Sequence, residues 1–143
     1  MIKWINVWNN QILWVCILSF LVSQAIKMFL QNDFSKNAFF KPGGMPSSHT
    51  APAVGLVTSI LLVEGATTAF VIAAAFAVVI IRDSLGVRYE TGEQAKQLNK
   101  LTKIVLKKDS KMFNEVQGHQ PLQVFAGAVV GVVVAVVVYY IWL

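Results

Sequence analysis

The sequence predicts an all-α integral membrane protein: a helical bundle of about four membrane helices with one amphipathic helix at the membrane surface. Two observations support this fold class. Of 143 residues, 56% are hydrophobic and only 13% are charged, more apolar surface than a soluble domain this short could bury. The apolar residues also form long runs of the kind that cross hydrocarbon. We therefore expect a single membrane domain over residues 1–143.

The first predicted membrane helix covers residues 12–30, which is long enough to span a bilayer. Its polar residues Ser19, Ser23, Gln24 and Lys27, and the lack of a small-residue cleavage site, favour a retained helix over a signal peptide. Two interpretations of Lys27 stay open. It either extends towards the membrane boundary or directs its charge at a bound phosphate.

Three further membrane helices are predicted over residues 50–63, 66–81 and 121–143. The first two are short for a full span, and Glu64 and Gly65 form the turn between them. The last contains Gly127 and Gly131, a spacing that allows close helix contact. That contact is expected within the chain, and a dimer contact is the alternative.

The segment 82–120 is polar, with eight Lys or Arg residues against five Asp or Glu. Within it, apolar residues at helical spacing predict an amphipathic helix from Glu93 to Met112. Its lysines are expected to contact anionic membrane lipids, and no nucleic acid partner is expected.

Four crossings would place the loops 36–49 and 82–120 on the same side of the membrane. Because both loops are basic, the positive-inside tendency predicts that they face the cytoplasm. The expected location is the bacterial cell membrane.

The densest chemistry lies in the segment from Lys41 to Thr50, directly before an apolar run. It combines Ser47, Ser48 and His49 with a lysine and two glycines. Glycines permit close backbone approach, and a helix start favours anions. The second of only two histidines, His119, lies at a similar border. These residues predict an anion site.

Phosphoryl transfer requires a nucleophile, a proton donor for the leaving oxygen, and positive charge around the phosphate. One imidazole can attack phosphorus while the other protonates the leaving group. The candidate phosphate ligands are Ser47, Ser48, Lys27, Lys41, Arg82 and Arg88.

The motif Pro46-Ser47-Ser48-His49 resembles the Pro-Ser-x-His motif of the type 2 phosphatidic acid phosphatases, which are related to bacterial acid phosphatases and vanadium haloperoxidases. The segment 118–127 resembles that superfamily's nucleophile segment. The chain is most similar to a short, divergent membrane branch found in bacteria and plants. The resemblance implies that His119 is a nucleophile forming a phosphohistidine, His49 a general acid and Ser48 a phosphate ligand. It implies no metal and no other cofactor.

Three departures from the superfamily pattern affect the site. The first motif, a lysine followed by Arg-Pro, is absent, and Phe113 replaces an arginine six residues before His119. Gln123 stands where an aspartate would orient His119 and stabilise its charged form. Glu115 would compensate if its segment were helical.

The expected function is therefore removal of phosphate from a lipid phosphate or diphosphate. Two alternatives stay open: a metal-dependent lipid pyrophosphatase using Asp83, Glu90 and Glu93, and a non-enzymatic protein that binds or moves lipid phosphates or serves as a scaffold. Asp83 is also a candidate partner for Arg82 at the membrane boundary. Four helices enclose a lipid tail thinly, so a homo-oligomer is a further possibility.

Overall fold

The protein is a bundle of helices in a computed structural model that describes residues 9–35, 39, 43–106, 112–115 and 118–143. The helices are α1 (Gln11–Gln31), α2 (Thr50–Glu64), α3 (Thr68–Leu85), α4 (Val87–Leu106) and α5 (Pro121–Trp142). Within the described residues, three helical stretches are long and apolar enough to cross a membrane: α1, α3 together with its continuation α4, and α5. Helix α2 is also apolar but shorter. The predicted fold class is confirmed, and the chain is an integral membrane protein.

Helix α1 has defined ends. The side chain of Asn10 accepts hydrogen bonds from the backbone N–H groups of Ile12 and Leu13, which satisfies donors that a helix start leaves free. At the other end, Asn32 adopts a left-handed conformation with φ of 48°, a common way to end a helix.

Helix α2 is the centre of the bundle and packs against α1, α3 and α5. Small residues make these contacts close. A methyl group on Gly131 would lie 2.3 Å from the carbonyl oxygen of Ala51, and one on Gly55 would lie 2.7 Å from Ser19 Oγ. The glycine spacing in α5 is therefore used for contact within the chain, where packing rather than apolar burial holds membrane helices together.

A small apolar core closes the bundle away from the polar loops. Val15 of α1 packs with Ala135 and Val138 of α5, and all three are buried. Most other large apolar side chains on α3 and α5 are exposed, as expected for surfaces that face lipid.

The amphipathic helix differs from its prediction. It begins at Val87 instead of Glu93, directly after the end of α3, and its described part ends at Leu106. Met112 lies in a non-helical segment, residues 112–115. Asn99 accounts for the non-helical path of this segment. Its buried side chain hydrogen-bonds both the N–H and the carbonyl of Phe113, two backbone groups that would otherwise need partners within a helix.

Candidate active site

The two histidines lie side by side, although seventy positions separate them in the chain. Their ring centroids are 6.3 Å apart and the ring planes are inclined by 57°. His49 directly precedes α2 and His119 lies just before α5, so the close contact between α2 and α5 brings the two rings together. At this spacing one phosphate group can contact both imidazoles.

Helices α3 and α4 position the backbone of His119. Its N–H donates to the carbonyl oxygen of Ser84 at 3.2 Å. The preceding residue is Gly118, where a methyl group would lie 2.4 Å from the backbone N and Cα of Tyr89. Only glycine permits this approach, so the loop carrying His119 sits directly on the junction of α3 and α4.

Gln123 orients the ring of His119 and selects its tautomer. Its side-chain oxygen Oε1 accepts a hydrogen bond from the backbone N–H of Gln120 at 3.1 Å and also lies 3.1 Å from His119 Nδ1. Gln123 Oε1 can only accept hydrogen bonds, so His119 Nδ1 must be the donor of this one. In the neutral ring, Nδ1 therefore carries the hydrogen. The lone pair is left on Nε2, as a nucleophilic histidine requires.

Partial burial lowers the pKa of both imidazoles, although His49, unlike His119, keeps an exposed surface. For His49, burial is the largest cause, followed by the positive charge of Arg88 and the neighbouring His119, while Asp83 opposes the shift. For His119, burial again dominates, and the charges of Lys27 and Arg88 add to it. The hydrogen bonds of His119 to Gln123 and to the backbone of Gly44 act in the opposite direction. Both rings are therefore biased towards the neutral form.

Both histidines line a cavity of about 400 Å³ whose remaining wall is mostly apolar. Its polar mouth also contains Asp83 and Arg88, which form an ion pair with Arg88 Nε 2.5 Å from Asp83 Oδ2. Asp83 therefore pairs with Arg88 and not with Arg82, the alternative partner that the sequence left open. Arg88 therefore presents its guanidinium at the cavity with one nitrogen engaged by a carboxylate.

Lys27 is almost completely buried, with 2% of its surface exposed. A methyl group on Gly44 would lie 3.3 Å from its Cγ and Cδ, so the glycine turn covers the lysine side chain. Lys27 is therefore enclosed beneath this turn, and its positive charge lowers the pKa of both imidazoles.

The two serines of the motif have different positions. Ser48 lines the cavity. Ser47 is fully buried and does not line it; its Oγ accepts hydrogen bonds from the N–H and the hydroxyl of Thr50, and its N–H donates to the carbonyl of Gln123. Contrary to the prediction that it binds phosphate, Ser47 joins the start of α2 to α5.

Two other candidates, Arg82 and Glu115, lie elsewhere. Arg82 is exposed and does not line the cavity. Glu115 lies in a non-helical stretch, and its carboxylate accepts from Asn99 at 2.8 Å, so it does not take the place of the missing aspartate. Lys41 falls outside the described residues.

The acidic residues do not assemble a cation site within the described residues. Asp83 pairs with Arg88, and Glu93 forms an ion pair with Lys96 at 2.5 Å. No group of three or more His, Cys, Asp or Glu side chains suited to a metal ion occurs in the part of the chain that the structure describes.

Ser84 is a site residue that the sequence reasoning missed. It lines the cavity, is 2% exposed, and its Oγ has no hydrogen-bond partner among the described residues. Buried hydroxyls are normally paired, so this one lacks the partner that its burial calls for. A serine at the polar end of an apolar helix, next to Arg82 and Asp83, was the available signal.

Comparison with known proteins identifies the family of the chain. The sequence matches the family described as the Divergent PAP2 family over residues 8–134. It is also 33% identical over 142 aligned residues to the uncharacterized membrane protein YuiD of Bacillus subtilis, covering 86% of this chain and 90% of that protein. No solved structure matches significantly. The chain belongs to the Divergent PAP2 family, and the resemblance inferred from its motifs is confirmed.

Proposed function

We propose that this member of the Divergent PAP2 family is a lipid phosphatase that releases phosphate from a lipid phosphate or diphosphate through a phosphohistidine. The observation that carries the proposal is the 6.3 Å spacing of the His49 and His119 rings at the mouth of an apolar cavity. A polar mouth above an apolar interior suits an amphiphile with a charged headgroup.

In the first step, Nε2 of His119 attacks phosphorus and the bond from phosphorus to the leaving oxygen breaks. His49, in its protonated form, gives its proton to that oxygen. In the second step, neutral His49 takes a proton from water, and the resulting hydroxide oxygen attacks phosphorus. The bond to His119 breaks, inorganic phosphate leaves, and both imidazoles return to their starting states.

Positive charge and hydroxyl groups would hold the phosphate oxygens during these steps. Arg88, Ser48 and Ser84 are the candidates that line the cavity, and Lys27 lies buried behind it. Charge stabilisation by fixed groups of this kind is usually the largest contribution to phosphoryl transfer. Asp83 limits the motion of Arg88 and so holds the guanidinium at the mouth.

The test uses the purified protein in lipid nanodiscs with a lipid phosphate and a lipid diphosphate. His119→Ala should abolish phosphate release, and His49→Ala should reduce kcat more than it weakens substrate binding. Radiolabelled phosphate should be trapped on the wild type as an acid-labile, base-stable adduct. Full turnover by His119→Ala in a folded protein would remove that residue from the nucleophile role.

Two competing functions give different results in the same assay. A metal-dependent lipid pyrophosphatase would lose activity on chelation, whereas the histidine mechanism should not. A non-enzymatic lipid-phosphate protein would bind the lipid without releasing phosphate. Gln123 favours this second candidate, because an amide supplies no negative charge to stabilise the imidazolium of His119.

We further propose that the site faces the cytoplasmic leaflet of the bacterial cell membrane. The basic residues of the loops around the site support this orientation.

A further inference from the structure

The apolar part of the cavity has a shape that indicates how its ligand enters. Helix α2 forms its back wall with Pro52, Ala53 and Leu56, while α1 and α3 supply the two sides. Among the described residues, α1 packs on α2 and α5 but not on α3. Within the described residues, the cavity therefore lacks a wall between α1 and α3, on the side that faces the bilayer.

We propose that the gap between α1 and α3 is a lateral entrance through which one hydrocarbon chain of a lipid phosphate passes directly from the adjacent leaflet. This inference rests on the proposed function of the site, and it names the part of the substrate that the apolar wall recognises. Phe76 of α3 lines the cavity and is 58% exposed, so its ring stands at one edge of the entrance. Phe20 of α1 lines the other side, where its ring packs edge-on against Phe39 at 5.9 Å.

The depth of the lining residues fits one leaflet. Leu56 follows His49 by seven helical positions, and Phe76 precedes Asp83 by seven, which places both about 10 Å below the headgroup site at ~1.5 Å per residue. Cys16 precedes Lys27 by eleven positions and lies roughly 16 Å below it. Half of the hydrocarbon core is about 15 Å thick, so the cavity reaches approximately to the bilayer midplane. A chain can remain parallel to its neighbours in the leaflet while its phosphate reaches the histidines.

The cavity lining changes from polar at the top to apolar below, as a lipid phosphate with a charged headgroup and a hydrocarbon tail requires. Arg88 and both histidines line the top, while Cys16, Phe20, Leu56 and Phe76 line the lower part. A soluble phosphate ester would use only the upper part. A long-chain lipid phosphate would use both, and its tail would gain contacts that a short chain cannot reach.

The experiment compares hexyl phosphate with hexadecyl phosphate in the same detergent. Leu56→Trp, which fills the lower cavity, should lower kcat/KM for the long chain by roughly tenfold or more and leave the short chain within about twofold. Leu61→Trp is the matched control on the same helix, since Leu61 is exposed and does not line the cavity; it should change neither value. Equal losses on both substrates by a folded Leu56→Trp protein, or no loss on either, would overturn the proposal.

A second measurement does not depend on turnover. Hexadecyl phosphate carrying a diazirine at its chain end should label the cavity-facing peptides of α1, α2 and α3 in nanodiscs, and Leu56→Trp should suppress the labelling. Labelling confined to the outer face of α5 would exclude the entrance. If the wild type labels as expected but releases no phosphate, the catalytic proposal fails while the tail site stands.

Discussion

At the scale of single residues, Gln123 determines what the candidate nucleophile can do. Its side-chain oxygen fixes the Nδ1–H tautomer of His119, and this is the geometric part of what the aspartate of related enzymes provides. The missing part is charge. Burial lowers the pKa of His119 and the bond to Gln123 only partly offsets it, so the imidazolium is weakly stabilised.

Replacing Gln123 by Glu should supply that charge at nearly the same reach. A carboxylate beside His119 should raise the pKa of the imidazole, because its negative charge stabilises the imidazolium. Because the attacking ring must be neutral, the acidic limb of the kcat/KM profile should move to higher pH by the same amount. The measurement is the pH profile of lipid phosphate hydrolysis. An unmoved acidic limb would show that His119 is not the group being titrated.

The wild-type profile follows from the same pKa shifts. His119 must be neutral and His49 protonated, and burial lowers the pKa of both below the usual value of 6.5. The maximum of kcat/KM is therefore expected on the acidic side of pH 6.5. Activity should fall at lower pH as His119 takes up a proton and at higher pH as His49 loses its proton. A maximum well above neutrality would contradict these roles.

Ser84 is predicted to bind phosphate through its unpartnered hydroxyl. Ser84→Ala should weaken phosphate recognition and lower kcat/KM by about tenfold, equivalent to roughly 1.4 kcal/mol. Thermal stability should hardly change, because no hydrogen bond within the described residues is lost. Ser59→Ala is the matched control, since Ser59 is also buried but bonds the carbonyl of Leu56. Equal activity of both variants would remove Ser84 from the site.

At the scale of secondary structure elements, α4 supports the loop that carries His119. Asn99 bonds the backbone of Phe113 and the carboxylate of Glu115, while Gly118 rests on Tyr89. Helix α4 is thus a structural support for the loop that carries His119.

Asn99→Ala should release this loop. Removing the side chain breaks its partly buried hydrogen bonds to Phe113 and Glu115, and one such bond contributes about 0.5–1.5 kcal/mol of stability. The midpoint of thermal unfolding should fall, and kcat should fall with it because His119 loses its position. Gln97→Ala on the exposed side of the same helix serves as the control. A normal kcat for Asn99→Ala would show that Ser84 and Gly118 suffice to hold the loop.

The sequence predicted the apolar helices well because their signal is local composition over many residues. It also predicted the pairing of His49 with His119, since an even number of crossings returns the chain to the same side. It did not predict the position of Ser47, because a hydroxyl at a helix start satisfies either a backbone N–H or a ligand, and only tertiary contacts decide which. The course of residues 112–115 was missed for a similar reason, since it depends on Asn99, a long-range partner.

At the scale of the whole molecule, the site lies at one end of the bundle and the turn between α2 and α3 lies at the other. In a Cys16→Ser background, cysteines at Met45 and Gln120, both exposed, should react with an impermeant maleimide from the same side of the membrane. A cysteine at Thr67 should react from the opposite side. If Met45 and Gln120 react from opposite sides, the single-site arrangement is wrong.

The backbone bond from Ser47 to Gln123 has a consequence for how activity is lost. Gln123 holds the His119 ring with its side chain and the segment before His49 with its carbonyl, so a single residue anchors both imidazoles. Fraying at the start of α5 would therefore disable nucleophile and acid in the same event. In a nuclear magnetic resonance melt, the resonances of the two rings should broaden at one common temperature.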